Sequence, residues 1–237
     1  MPRANNISNR HYIIFAISLN VFQMNRFVLL LIFAISSVLF YSCDGIFHYI
    51  YDDPKQLPES EYGFIKVDET TCSGVIYVDA SSFERWLYVD FKNKKVDTTN
   101  ILMGEDEPAQ WDFALHRFDA KTNNGTVAET DFTSLNDLRA AGIINFADFT
   151  ADVDDSVMVD VTDMMSGIIK YAPSKKNRVL SNWMSVDISV MPPIYTMSNK
   201  VYILQMPDGT RAALLLVNYM NTSGVRGFLT IHYIYPY

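Results

Sequence analysis

Two methionines stand where an alternating strand should carry polar residues. From Trp183 to Val190 the chain alternates: Met184, Val186, Ile188 and Val190 take one face, and Ser185, Asp187, Ser189 and Met191 the other. Met191 thus falls on the polar face and is followed by Pro192 and Pro193, which cannot donate ladder hydrogen bonds and end the strand or leave it as an exposed edge. Ser156–Val161 repeats the arrangement, with Val157, Val159 and Val161 on one face and Ser156, Met158 and Asp160 on the other. A thioether is a soft, neutral donor. It fills gaps in cores, and it also ligates haem iron, which a His or Met pair holds without a covalent bond. Packing, surface exposure and ligation are all open for Met158 and Met191 at this level, whereas Met184 and Met206 fit apolar faces and belong to the core.

Other chemistries lack their residues. No Gly-x-Ser-x-Gly elbow is present for a Ser-His-Asp hydrolase, nor a P-loop or Gly-x-Gly-x-x-Gly turn. The two cysteines, Cys43 and Cys72, form no Cys-x-x-Cys, so neither a disulfide framework nor a thiolate zinc site nor covalently attached haem is expected. His48, His116 and His232 are too scattered for a zinc site. His116, between Asp112 and Asp119, is read as a buried, hydrogen-bonded strand residue rather than a base or ligand, and His232 likewise. Many acids are present, but nothing singles out a catalytic pair, and no enzyme is expected.

The elements that must position the methionines read as strands. Gly74–Asp79, Arg85–Phe91 and Trp111–Phe118 are short, β-branched and aromatic, with turns at Lys92–Lys95 and Asn123-Asn124-Gly125. Val201–Met206 and Arg211–Tyr219 flank Pro207-Asp208-Gly209-Thr210, a hairpin signal, and Arg226–Tyr235 extends it into an antiparallel meander. Ala212–Val217 is apolar on both faces, which predicts a central strand. One helix stands out at Ser134–Ala141, with Ser134 as its cap, Asp137 at the capping-box position and Gly142 as its stop.

The N-terminus reads as a processing signal. Met24-Asn25-Arg26 precede fifteen almost unbroken apolar residues, Phe27–Tyr41, and then Ser42-Cys43. The run is shorter than the ~20 residues of a spanning helix. It resembles a lipobox with Cys43 as the lipidated residue, although Phe40 and Tyr41 are bulkier than the usual residues there. The expected organisation is an upstream extension over 1–23, a lipoprotein signal peptide over 24–42, a tether over 43–73 and a β domain over 74–237. A lipid on Cys43 would anchor the protein to a membrane without crossing it. The formal charge is −8, and after residue 42 there are 16 bases against 27 acids, a balance that argues against nucleic acid as a partner.

A resemblance joins these parts. Trp111-Asp112, Ala114, His116-Arg117-Phe118-Asp119, Thr122-Asn123 and Gly125 resemble the signature of the HmuY-like haem-binding lipoproteins. Val78–Ser81 before Trp86, Pro193-x-Tyr195, Ser198–Tyr202, Asp208-Gly209, Tyr219, Gly227 and Tyr235-Pro236 follow in consistent order. The resemblance implies an all-β, mainly antiparallel, hand-shaped fold with one or two short helices. It also implies a Gram-negative outer-membrane lipoprotein, lipid-anchored at the cell surface. Such a protein captures haem b non-covalently, from host haemoproteins or the surroundings, and passes it to a TonB-dependent receptor. Haem would sit between two strand-loop fingers, ligated axially from each. One branch of the family uses two histidines; the matching regions here hold Met158 and Met191, with Met164 or Met165 as substitutes for Met158. The competing expectation is a surface module for a peptide, glycan or partner lipoprotein, with Trp86, Trp183 and Tyr195 as its contact patch.

Overall fold

The computed structural model describes residues 62–142 and 148–237. The lipidation candidate Cys43, the signal segment, the upstream extension, His48 and most of the expected tether lie outside the described residues. Within them, fifteen strands and two short helices form two main sheets and two hairpins.

The first sheet has seven strands in the order β1 (Gly63–Asp68), β2 (Ser73–Asp79), β15 (Arg226–Ile234), β14 (Arg211–Met220), β13 (Val201–Gln205), β7 (Thr126–Glu129) and β8 (Thr150–Ala151). The second has four: β4 (Lys95–Asn100), β3 (Arg85–Asp90), β5 (Phe113–His116) and β6 (Asp119–Thr122). The hairpins are β9 (Val153–Asp160) with β10 (Lys170–Lys176), and β11 (Met184–Asp187) with β12 (Ile194–Met197). All the pairings are antiparallel. Helix α1 is Leu135–Ala141 and α2 is Arg178–Ser181.

Side-chain alternation sorts the strands into layers. Tyr202, Leu204, Leu214, Leu216, Ile231 and Tyr233 of the first sheet meet Leu87, Val89, Phe113 and Leu115 of the second in the main core. The opposite faces are also covered. Val201, Ile203 and Ala213 lie with Leu138 of α1, and Trp86, Tyr88 and Ala114 lie with Val157 and Val159 of β9. Strands β13, β14 and β3 are apolar on both sides because each has a layer on both sides. The meander β13–β14–β15 forms as the turn residues predict. Gly209 has φ 86°, its N–H donates to Met206 O at 3.0 Å, and Asp208 Oδ1 accepts the Thr210 N–H at 2.8 Å. Helix α1 starts and stops where expected, with Ser134 Oγ accepting from the Asn136 and Asp137 amides and Gly142 at φ 77°.

Three strand expectations are corrected. The sheet begins at Gly63, inside the stretch read as tether. Strand β1 is an edge with a register shift between Phe64 and Lys66, which erases its period-2 pattern. Trp111–Phe118 is not one strand. β5 ends at His116, the chain turns through Arg117 at φ 55°, and β6 returns in register with His116 opposite Asp119. The turn is held from outside: Arg117 Nη1 donates to Ser81 O at 2.7 Å, and its guanidinium lies over the Phe83 and Phe118 rings. Trp183–Val190 is also shorter than its alternation suggests. β11 stops at Asp187, whose Oδ1 accepts the Ser189 N–H at 2.9 Å and the Ser189 hydroxyl at 2.6 Å, closing a local turn that competes with the ladder.

The two hairpins are consecutive, and residues 177–183 join them. This link is buried at Asn177, Leu180, Ser181 and Trp183. Asn177 organises it. Its N–H donates to Ala120 O at 2.7 Å and its Oδ1 caps α2 by accepting the Leu180 N–H at 2.9 Å. Its Nδ2 donates to Thr150 O and Asp152 Oδ1. Asn177→Ala removes the cap and the part-buried bonds to Thr150 O and Asp152 Oδ1. The expected loss is about 2–3 kcal/mol, measured by urea unfolding monitored by tryptophan fluorescence. A loss below about 0.5 kcal/mol would mean that the link is not held through this side chain.

Candidate functional site: two apolar-tipped hairpins

Each hairpin has a buried root and an exposed end. The first is rooted on the outer face of the second sheet, where Val157 and Val159 of β9 pack against Trp86, Tyr88, Trp111 and Ala114. Beneath it lies Lys121, only 5 % exposed. Its ammonium sits 4.4 Å from the Trp86 ring centre, 5.0 Å from Tyr88 and 5.5 Å from Trp111, and it pairs with Glu107. A buried lysine survives there because cation–π attraction and one carboxylate replace its water. The sequence reading missed this anchor: a lone Lys in Asp-Ala-Lys-Thr carries no signal, and its aromatic partners come from two other segments.

The second hairpin is rooted in the main core. Trp183 is fully buried and its Nε1–H donates to Phe118 O at 2.9 Å. Met184 joins the same core, as expected for it and for Met206, while Val186, Tyr195 and Met197 pack against it half-buried. Tyr195 stacks on Tyr219 with ring centres 5.9 Å apart and meets Phe118 edge-on at 5.8 Å.

The ends have the opposite character. On the second hairpin Ile188, Val190, Met191 and Ile194 are exposed, Met191 to 81 %. Ile188 and Val190 were expected on a continued strand face; they lie instead in the connection beyond Asp187. The Met191–Pro192 peptide is cis. On the first hairpin the connection carries a 3-10 turn, Met164–Ser166, with Met164 49 % and Met165 92 % exposed, beside exposed Ile168 and Tyr171. Met158 is half-buried on β9, opposite Tyr171. The two-face reading of β9 holds, with Val157 and Val159 buried and Met158 on the other side. Most of the large apolar side chains that the described residues expose are on these two hairpins. Large exposed apolar side chains grouped on two consecutive hairpins make these ends a candidate interaction surface.

Met158 lies on β9 as its alternation suggested, whereas Met191 lies in the connection beyond β11 and not on a continued strand face. Met191 stands on one hairpin and Met158, Met164 and Met165 on the other. The basic residues of the first hairpin and its exit are paired with acids: Lys170 with Asp160, Lys175 with Asp154, Lys176 with Asp119 and Arg178 with Asp155. The Lys170 ammonium, helped by Thr162, holds the Asp160 carboxyl well below the usual range. Residues 183–199 contain no Lys or Arg. Among the described residues no group of three or more His, Cys, Asp or Glu side chains could hold a bare metal ion.

His116 is the buried strand residue expected. It is 1 % exposed, tilts over Trp86 at 5.3 Å, and its Nε2–H donates to Phe83 O at 2.7 Å. His232, given the same reading, is exposed on the outer face of the first sheet. Burial pushes the His116 imidazole below its ordinary 6.5. The unfolded chain therefore takes up a proton near pH 6.5 that the folded chain refuses. Stability is full above that pH and falls as the pH is lowered through and below it. Thermal unfolding between pH 8 and pH 5 should show this slope, and His116→Gln should flatten it. An unchanged slope in the variant would locate the titration elsewhere.

The described residues form an all-β, two-sheet architecture with two consecutive, apolar-tipped hairpins. The HmuY protein family model matches residues 82–233, and the chain belongs to that family. A proposed HmuY-like heme-binding protein from Bacteroides vulgatus ATCC 8482 is 48 % identical, with 75 % of this chain and 99 % of that one covered and a TM-score of 0.72. A proposed lipoprotein from Bacteroides fragilis NCTC 9343 is 46 % identical over 76 % of this chain and 99 % of its own, also at 0.72. The apo HmuY analogue of Tannerella forsythia shares the fold at 22 % identity and a TM-score of 0.58, over 68 % of this chain and 94 % of that one. None of the curated proteins matches.

The corrections extend to the alternative reading. Trp183 is fully buried and Trp86 is 3 % exposed, so neither forms a surface contact patch.

Proposed function

We propose that the protein is a haem-binding lipoprotein that captures haem b between its two hairpins, with Met191 and Met158 as axial ligands, and delivers it to a TonB-dependent outer-membrane receptor. It acts as a carrier and not as an enzyme, with haem as cargo taken from host haemoproteins or the surroundings. Cys43 carries the lipid and anchors it at the cell surface of a Gram-negative outer membrane. Met164 and Met165 lie in the connection of the first hairpin and are the substitutes for Met158.

The observation that carries the reading is the pair of thioether-bearing apolar ends on hairpins joined by one buried link. A porphyrin needs apolar surface for its faces, and haem iron takes a soft ligand from either side. Family membership and the heme-binding name of the Bacteroides vulgatus relative support the cargo, and the lipoprotein name of the Bacteroides fragilis relative supports the anchor.

Thioether ligation sets the redox preference, because a neutral soft donor stabilises ferrous more than ferric iron. Haem titrated into the purified protein should shift the Soret band, and binding should be tighter after dithionite reduction. The cations of the first hairpin are already paired, and the second offers none over residues 183–199. The hairpins' own cations would therefore hold the haem propionates only weakly, and raising salt from 0.05 to 0.5 M should change affinity less than about twofold. Absence of a spectral change in both redox states would sink the cargo assignment.

A further inference from the structure

Away from the hairpins, the first strands of the two sheets part and leave a cavity of about 550 Å³. We infer that this cavity binds a small amphipathic anion: an organic carboxylate or sulfonate carried on an aromatic or acyl body. The apolar part of its lining comes from Tyr62, Phe64, Val78, Leu87 and Val96. Tyr62, 60 % exposed, has its ring stacked on Tyr77 at 5.4 Å.

The charge at this cavity runs against the rest of the molecule. The chain carries a formal −8, yet the lining holds Arg85, Lys94 and Lys95 against Asp79 alone. Two of these groups have partners. Lys95 Nζ lies 2.7 Å from Asp97 Oδ1, and Asp79 Oδ1 accepts the Ser81 N–H at 3.0 Å. Lys94 Nζ sits over Phe64, Tyr233 and Tyr235 at 5.4–5.6 Å, which fixes the ammonium without neutralising it. Arg85 is exposed, and among the described residues its guanidinium meets no carboxylate. An exposed guanidinium, an ammonium held on the Phe64 ring and a lining that includes Tyr62 and Phe64 suit one anionic head and one apolar body. The lining shares no residue with the two hairpins, so this site is separate from the one proposed for haem.

The probe is 8-anilinonaphthalene-1-sulfonate, titrated into the haem-free full chain and followed by its fluorescence gain, with uncharged N-phenyl-1-naphthylamine in parallel. The expected result is one saturable site for the sulfonate and at least about fivefold weaker binding of the uncharged analogue. Arg85→Gln and Arg85→Glu should each weaken the sulfonate at least about fivefold, and Thr98→Trp, an exposed wall position, should remove the site by filling it. Met191→Ala should leave it unchanged. Equal binding of both dyes, or wild-type binding by Arg85→Glu and Thr98→Trp, overturns the proposal. So does loss of the signal in Met191→Ala, which would put the dye on the hairpin ends.

Discussion

Met191→Ala should weaken ferrous haem binding by at least about tenfold, or ~1.4 kcal/mol, while leaving the fold untouched. Met191 is 81 % exposed, so its removal opens no cavity and should move unfolding by no more than ~0.5 kcal/mol. Affinity and stability therefore separate at this position. Met158→Ala should also weaken binding, at a modest cost in stability because Met158 is half-buried. If Met164 or Met165 is the true partner, its alanine variant takes the larger binding loss and Met158→Ala the smaller. Met191→His gives the opposite redox signature: imidazole is a harder donor, so the preference should move toward ferric haem. The measurement is a Soret titration of each variant in both redox states beside a thermal melt. A double variant, Met158→Ala with Met191→Ala, that keeps the wild-type spectrum and affinity would reject the ligand pair.

The largest stability effect is expected at the root of the second hairpin. Trp183 is fully buried, contacts the main core and donates its only N–H to Phe118 O. Trp183→Ala leaves a cavity and an unpaired carbonyl, and should cost about 3–5 kcal/mol. For a domain of this size that is a fall in Tm of roughly 10 °C. Trp183→Phe keeps most of the apolar volume and loses the hydrogen bond, so about 1–2 kcal/mol is expected. Because the Trp183 carbonyl also accepts the Ser198 N–H at 2.9 Å, the damage should concentrate in β11 and β12. Hydrogen exchange should quicken there before it quickens in β13–β15. A Tm change under about 2 °C for Trp183→Ala would show that the hairpin is rooted by other contacts.

How far the sequence reached depended on whether the deciding interactions were local. The meander, the helix and the two faces of β9 were legible because the Asp208-Gly209 turn, the Ser134 cap and the Val157/Val159 alternation are set by neighbours in sequence. The Asp187–Ser189 turn is equally local, but its signal was lost inside a longer alternation. The break at Arg117 was not legible, since the bond that holds it reaches back to Ser81. Strand β1 was hidden by its register shift. Lys121 showed nothing in sequence because its ring and carboxylate partners lie 10 to 35 positions away, and Asn177, beyond its local cap of α2, acts through residues 25 to 57 positions back.

At the hairpin ends the same division holds. The sequence by itself determined that Met191 and Met158 are out of phase with the apolar faces beside them, that the proteins it resembles bind haem, and that the fold is all-β. Alternation and turn chemistry are short-range, and a single chain displays them. Only the tertiary structure decided that Trp183 and Trp86 are buried, that Ile188 and Val190 lie beyond the strand, and that the two methionine-bearing hairpins grow from one buried link. Burial depends on what the rest of the chain brings to the other side of a strand, and no local pattern carries that information.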